Sequence, residues 1–300
     1  MSRSSWTVLL VLSAAGIATF YPLVKILNGA IDAHVLAFLR FLVAALVLLP
    51  VLLATSYLRV PFKRDWAPFL SIALLGIGAN VLVIIGIGQT NSVVSAILLN
   101  TNPLIVALLA PLVIDEQLTL KKVIALVVGF FGVILVILNG QDVSTLVHSE
   151  YFWGSLIVLV AALFSGLNKI VSKGLVRRYD GLFVTFIGVA LGALLLGIMT
   201  ATNGTLPEIA SLTAKEMAIV LLIGIIASAI PWAIWNSSLK HLDVHVAASF
   251  MLLIPIFATL YSLLFLRETF TIWMLVGLLL TSLAIYFVQR EVKIIQTPQT

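Results

Sequence analysis

The sequence predicts an all-α integral membrane protein, with ten transmembrane helices arranged as two inverted five-helix repeats. Its 300 residues are 62% hydrophobic and only 10% charged, and their mean hydropathy is +1.20. Soluble domains are about 45–50% apolar and about 25% charged, so this chain has too few charges to cover a water-facing surface. Because it contains no cysteine, disulfides, iron–sulfur clusters and cysteine-ligated zinc are excluded.

Ten stretches are long and apolar enough to cross a bilayer, which takes about 20 residues of helix. None alternates apolar and polar residues as the strands of a membrane barrel do. The first stretch is too long for a signal peptide and no Ala-x-Ala site follows it, so we expect it to be retained as the first helix. In chain order the stretches are 6–26, 35–55, 66–87, 92–114, 120–138, 152–171, 182–201, 215–235, 244–266 and 272–288.

The distribution of Lys and Arg predicts the orientation, since cytoplasmic loops carry an excess of both. With the N-terminus inside, twelve of them fall in inner segments. The outer side holds four, namely Lys25, Arg40, Lys215 and Arg267, and the remaining one, Lys169, lies within a span near its inner end. We therefore expect both termini in the cytoplasm. The net charge of +5 follows from these loops, and we expect no nucleic-acid partner.

The two halves of the chain, 1–140 and 151–300, share a pattern. A shift of 152 residues places Pro103 on Pro255 and Glu116 on Glu268. Each half has five spans, and because five is odd, the second half inserts upside down relative to the first. Inverted repeats of this kind are typical of secondary transporters.

The residues that carry this repeat resemble those of a known family. The segment TNPLIVALLAPLVIDEQLTL recurs as LIPIFATLYSLLFLRETFTI, and LAFLRFLVAAL contains an arginine within the second helix. These motifs resemble the drug/metabolite transporter superfamily, EamA type, and the whole sequence looks most similar to bacterial exporters of amino acids, including aromatic ones. The resemblance implies a monomeric transporter of the bacterial inner (plasma) membrane, without a cofactor. It would export neutral, aromatic or hydrophobic amino acids by alternating access through a central cavity.

The position of the acidic residues constrains the substrate and the driving force. All twelve lie in loops or at helix ends, whereas proton relays and sites for lipophilic cations normally use a carboxylate at mid-membrane depth. A neutral or zwitterionic substrate and uniport are therefore favoured. No catalytic motif or metal-binding cluster is present, so an enzyme is not expected. Alternatives are an exporter of other small metabolites or drugs, a channel or lipid-flipping protein, and an assembly subunit.

Four polar or aromatic side chains at mid-depth are the main candidates for substrate binding. Asn80 lies in the third span, and Asn100 and Asn102 lie beside Pro103, which frees a backbone carbonyl one turn earlier. Trp232 is the repeat mate of Asn80 and suits an aromatic substrate. The alternatives are hydrogen bonds that hold helices together for the amides, and a position in the interfacial aromatic belt for the tryptophan.

Further candidates depend on their depth in the membrane or on the repeat. Arg40 lies two turns inside its helix, where it would meet a substrate carboxylate, form an ion pair or extend to the outer surface. Tyr21 and Ser249 are weaker candidates that more often pack. We expect Pro103 and Pro255 to act as hinges or static kinks. Glu116 and Glu268 are expected to cap helices or close gates through ion pairs, without contacting substrate.

Overall fold

The regular structure of the chain is helical throughout the part that the computed structural model describes, which confirms the predicted all-α class. The described residues are 3–55, 65–113, 119–142, 146–238 and 250–295. The first half contains α1 (Arg3–Ala18), α2 (Phe20–Ile26), α3 (Ala33–Ala54), α4 (Trp66–Gln89), α5 (Ser92–Leu99), α6 (Asn102–Val113) and α7 (Leu120–Leu138). The second contains α8 (Glu150–Val176), α9 (Gly181–Thr202), α10 (Leu206–Ser211), α11 (Ala214–Gly224), α12 (Ile230–Ser238), α13 (Ile254–Tyr261) and α14 (Ile272–Ile295), with π-helical turns at Ile225–Ala229 and Ser262–Leu266.

Eight helical segments of the described chain are long and apolar enough to cross a membrane. They are Ser5–Ile26, Ala33–Ala54, Trp66–Gln89, Ser92–Leu109, Leu120–Leu138, Glu150–Val176, Gly181–Thr202 and Ala214–Ser238. Two shorter apolar helices follow, at Ile254–Leu266 and Ile272–Val288. Many large apolar side chains on these helices are exposed, among them Phe131 and Leu194. A multi-pass membrane protein is thereby confirmed, and the count of ten spans stays a prediction.

The fourth predicted span, 92–114, is not one continuous helix. It consists of α5 and α6, which are separated by a turn at Asn100 and Thr101. The reason is Pro103, which has no N–H to donate to the carbonyl four residues earlier. A polar turn therefore lies within an otherwise apolar span.

Side-chain caps fix where several helices begin, because they accept hydrogen bonds from backbone N–H groups that lack a helical partner. Asn91 caps α5 in this way, and Thr119, Ser149 and Asp180 cap α7, α8 and α9. Thr213 and Glu216 form a reciprocal capping box at the start of α11. Short polar residues thus define the helix boundaries.

The two halves of the chain pack against each other along most of their helices. The largest contact joins α4 to α8, and the next joins α7 to α14. Further contacts pair α3 with α9, α5 with α13, and α1 with α12. The predicted repeat matches each helix of the first half to one of the second. Under this match the contact of α4 with α8 corresponds to that of α1 with α12, and the pairs α3–α9, α5–α13 and α7–α14 each correspond to themselves. The inverted repeat itself stays a prediction.

Glycines allow the two largest contacts. A Cβ atom at Gly154 of α8 would lie 2.8 Å from Cβ of Gln89 and 2.9 Å from N of Thr90. A Cβ atom at Gly277 of α14 would lie 2.3 Å from Val136 of α7. Small residues let membrane helices approach this closely, so these positions tolerate no side chain without movement of a neighbouring helix.

We predict that Gly154→Ala lowers the thermal midpoint of unfolding in detergent, because overpacking at such a contact costs about 1–3 kcal/mol. Gly174→Ala is the matched control, since it lies on the same helix and a Cβ there meets nothing within 4 Å. Replacing a helical glycine by alanine without a clash stabilises by about 0.5–1 kcal/mol. Equal midpoints for the two variants would contradict the close contact of α4 with α8.

Candidate functional site

A buried arginine forms the centre of the candidate site. Arg40 of α3 is only 7% exposed. Its Nε donates a hydrogen bond to Oγ of Ser228 and its Nη1 donates one to Oδ1 of Asn80, both at 2.7 Å. The guanidinium carbon lies 3.9 Å from the ring centroid of Phe20 and 5.7 Å from that of Trp232. Neutral oxygens and aromatic faces therefore hold this cation, the latter through cation–π attraction.

Both oxygen acceptors are fixed by their own helices. Asn80 donates from Nδ2 to the carbonyl of Gly76, 2.9 Å away and one turn earlier in α4. Ser228 lies in the π-helical turn Ile225–Ala229 and donates to the carbonyl of Ile223, 2.9 Å away. Each side chain donates within its own helix and accepts from the arginine, Asn80 through its carbonyl oxygen and Ser228 through a lone pair of its hydroxyl. π-Helical turns are frequent at functional sites.

Arg40 has no negative partner in the part of the chain that the structure describes. No described carboxylate lies within 4.0 Å of it, and its Nη2 makes no hydrogen bond there. The ion-pair alternative therefore finds no described partner, and extension to the outer surface is wrong because the side chain is buried. Burial of an ionised group is costly unless it is paired. This arrangement is chemically suited to bind an anion.

Tyr21 belongs to the same cluster. It is 3% exposed, and its ring packs edge-on against Phe20 with centroids 5.6 Å apart. Two neighbouring aromatic residues at the start of α2 thus border the arginine. Together with Trp232, which also faces the guanidinium, they give the site an apolar wall beside its charged group.

A second polar cluster lies at the break between α5 and α6. Nδ2 of Asn102 donates to the carbonyl of Leu99 at 3.0 Å, which is the carbonyl that Pro103 leaves without a donor. Oδ1 of Asn102 accepts a hydrogen bond of 2.5 Å from Nζ of Lys169 in α8. One asparagine side chain therefore satisfies the broken helix and also binds a cation.

Two charged side chains cap helix ends where α4 meets α5. Nζ of Lys25 donates to three carbonyls of residues 87, 88 and 90, at 2.6–3.0 Å. The carboxylate of Glu268 accepts from the backbone N–H groups of Ser92 and Val93, at 3.1 and 3.4 Å. Each charge has the sign that the helix dipole favours at that end. Glu268 thus links the second half of the chain to the first, and its role in a gate stays a prediction.

The structure brings together some of the predicted residues and separates others. Arg40, Asn80, Trp232 and Tyr21 lie in one cluster, whereas the hydrogen bonds of Asn102 go to Leu99 and Lys169. The remaining predicted residues lie elsewhere. Asn100 ends α5, Pro103 is at the start of α6 and Pro255 begins α13, while Ser249 and Glu116 lie outside the described residues.

Sequence reasoning missed three residues of these clusters. Phe20 and Ser228 look like ordinary packing residues in an apolar helix, and no sequence signal marks them. Lys169 is different, because a lysine seven residues inside the C-terminal end of α8 is itself a signal, since charged residues inside spans are rare.

A cavity of about 610 Å³ opens at the end of the bundle that the charge pattern places outside. Its lining includes the carboxylates of Asp32, Glu150 and Glu208. Glu208 accepts a hydrogen bond from the backbone N–H of Asp32 at 3.2 Å. None of the predicted binding residues lines this cavity, so it is separate from the arginine cluster.

An apolar helical bundle with polar and charged groups buried inside it is typical of membrane proteins that bind or move polar solutes. Residues 4–138 and 152–290 both match the EamA-like transporter family, and the chain belongs to that family. It is 23% identical to the uncharacterized transporter YyaM of Bacillus subtilis (strain 168), over 74% of this chain and 73% of the other. It is 26% identical to YvbV of the same organism, also named an uncharacterized transporter, over 91% and 88%.

A solved crystal structure shares the fold, with a TM-score of 0.65 and 19% identity over 99% of this chain and 100% of the other. The printed names of these relatives state no substrate. They support a membrane transporter, and the aromatic amino-acid branch expected from the sequence stays a proposal.

We predict an energetic coupling between Asn102 and Pro103. Asn102→Ala should destabilise the protein by about 1–3 kcal/mol, because it leaves the buried carbonyl of Leu99 without a donor. In a Pro103→Ala background the backbone N–H of residue 103 replaces that donor, so the same substitution should cost less. Thermal midpoints of the four variants in detergent measure this coupling. If Asn102→Ala lowered the thermal midpoint equally with and without the Pro103→Ala substitution, the N–H of residue 103 would not replace the asparagine as donor to Leu99.

Proposed function

We propose that this transporter exports neutral amino acids with hydrophobic or aromatic side chains, and that the substrate carboxylate binds Arg40. The observation that carries the proposal is the buried guanidinium, which has no carboxylate within 4.0 Å among the described residues. Its two bound acceptors are neutral oxygens. An anionic group supplied by the substrate would complete the site.

The guanidinium is suited to a carboxylate for geometric reasons. Arginine presents its N–H donors in a planar fork that matches two carboxylate oxygens. In Arg40 the Nε and Nη1 atoms are used by Ser228 and Asn80, and Nη2 makes no hydrogen bond to the described residues. Nη2 therefore supplies the first contact, and Nη1, which also carries a second N–H, supplies the other.

The rings around the arginine favour an apolar substrate side chain. Phe20 and Trp232 face the guanidinium, and Tyr21 packs against Phe20. Aromatic rings gain about 0.5–1.5 kcal/mol from offset or edge-on contact with another ring, beyond the burial of area. This environment supports phenylalanine-like substrates over small polar ones.

The proposed mechanism is alternating access by movement of the two halves. The pairing of helices across the halves and the two matched stretches support a twofold organisation. Pro103 and Pro255 would serve as hinges. The described acidic residues lie at helix ends or in loops, which supports uniport driven by the substrate gradient. We also propose a monomer in a bacterial inner membrane, with both termini in the cytoplasm.

Counterflow in reconstituted liposomes tests this proposal. Liposomes loaded with unlabelled phenylalanine should transiently accumulate labelled phenylalanine without any ion gradient. Arg40→Gln and Trp232→Ala should each lower the initial rate by about tenfold or more, since a lost charge-assisted hydrogen bond or aromatic contact costs at least about 1.4 kcal/mol. Arg177→Gln and Trp153→Ala are matched controls, because both side chains are exposed.

Two results would contradict the proposal. One is unchanged counterflow for Arg40→Gln in protein that elutes as a single folded species. The other is absence of phenylalanine counterflow in the wild type. If other carboxylates exchanged and Arg40→Gln stopped them, the alternative of a metabolite exporter would replace the amino-acid exporter.

A further inference from the structure

We propose that Lys169 is a second carboxylate-binding site, which receives the substrate from the cytoplasmic side before Arg40 binds it. This inference rests on the proposed function, because it assigns Lys169 to the same substrate path. It concerns a residue that the sequence pattern left without a role. Three observations support it: where the lysine lies on its helix, what its ammonium contacts, and what connects it to the arginine.

Lys169 faces the interior of the bundle and is nevertheless exposed. It lies within about 20° of Val158 and Ala162 around α8, and both of these are 0% exposed. Val160, on the opposite face of the helix, is 43% exposed, as expected for a side chain that contacts lipid. The exposure of Lys169 is therefore toward an opening between helices.

The opening lies near the end of the bundle that the charge pattern places in the cytoplasm. Lys169 is seven residues before Val176, the last residue of α8, which corresponds to about 10 Å of helix. Arg40 is seven residues after Ala33, the first residue of α3, and the charge pattern places Ala33 at the outer side of the membrane. A substrate that enters from the cytoplasm therefore meets the lysine first.

The ammonium of Lys169 has capacity for a ligand. It carries three N–H donors, and its one hydrogen bond to a described residue is to Oδ1 of Asn102. No described carboxylate lies within 4.0 Å of it. A charged donor with one neutral acceptor, in an opening between helices, binds a carboxylate through a charge-assisted hydrogen bond.

A row of polar groups runs along one face of α4 from the residue next to the lysine to the arginine. Asn168, the residue before the lysine, donates to the carbonyl of Ile72 at 2.6 Å. One turn further the carbonyl of Gly76 accepts from Asn80, which in turn binds Arg40. A Cβ at Gly76 would lie 3.6 Å from Nδ2 of Asn168, so the glycine leaves the row uncovered. Polar atoms thus line about 12 Å of α4 between Asn168, the neighbour of the lysine, and Arg40.

Amine labelling tests the lysine independently of transport. The purified protein in detergent is treated with N-hydroxysuccinimidyl acetate, and acetylation of each lysine is followed by mass spectrometry. We expect 3-phenylpropionate, at about ten times its Kd, to slow acetylation of Lys169 by about tenfold. We expect 3-phenylpropan-1-ol, which lacks the carboxylate, to have no effect. Lys173, exposed one turn further along α8, is the internal control.

Transport supplies the second readout. Lys169→Gln should raise the KM for phenylalanine presented to the cytoplasmic face by about tenfold and leave the KM at the other face unchanged, while Lys169→Arg should restore it. Arg40→Gln should lower transport from both faces. Protection of Lys169 from acetylation by phenylpropionate should persist in Arg40→Gln, because the two sites are separate.

Each outcome decides the proposal. If Lys169 were not acetylated, it would not face an opening between helices. If its acetylation were equally fast with 3-phenylpropionate and with 3-phenylpropan-1-ol, it would not bind a carboxylate. If Lys169→Gln raised the KM for phenylalanine equally at both faces of the membrane, the lysine would have a structural role instead. If phenylalanine is not transported but phenylpropionate protects Lys169, the proposed amino-acid function fails and the anion site remains.

Discussion

The cost of keeping an ionised guanidinium inside an apolar bundle is the constraint on which the site depends. Arg40 receives hydrogen-bond acceptors from α4 and from the π-helical turn before α12, and ring faces from α2 and α12. Those elements come from both halves of the chain, so one side chain contacts both halves inside the bundle. Neutral partners lower the cost of burial without cancelling the charge. The charge therefore remains available for the substrate carboxylate that we propose as its ligand.

A second constraint is that every backbone polar group in an apolar environment needs a partner. Where Pro103 removes a donor, the side chain of Asn102 supplies one. Where α4 ends and α5 begins, Lys25 and Glu268 bind the carbonyls and N–H groups that have no helical partner. The polar side chains of these spans therefore stabilise the helices. The donors that they leave for a ligand are the N–H groups of Nη1 and Nη2 of Arg40 that bind no described residue, and the ammonium of Lys169.

Composition and span length were sufficient to predict a helical membrane protein, because apolar length is a property of the sequence alone. Depth and residue type also identified Arg40, Asn80 and Trp232, which do lie together. Sequence reasoning could not choose between an ion pair and a ligand for the arginine, since that depends on which side chains other helices present. It missed Ser228, because a π-helical turn changes the face on which a serine lies. It also grouped Asn102 with Asn80 and Trp232, whereas the hydrogen bonds of this side chain go to Leu99 and Lys169.

The carboxylate of Glu268 binds the first N–H groups of a helix that belongs to the other half of the chain. While these atoms remain together, neither group needs a solvent molecule. If the halves separate at this end, a carboxylate and two amide donors are uncovered at the same moment, and in a dry space each would be left unsatisfied. In the alternating-access mechanism that we propose, opening at this end would therefore require water to enter as the helices part, and the hydration of these groups would contribute to the barrier between the closed and open forms.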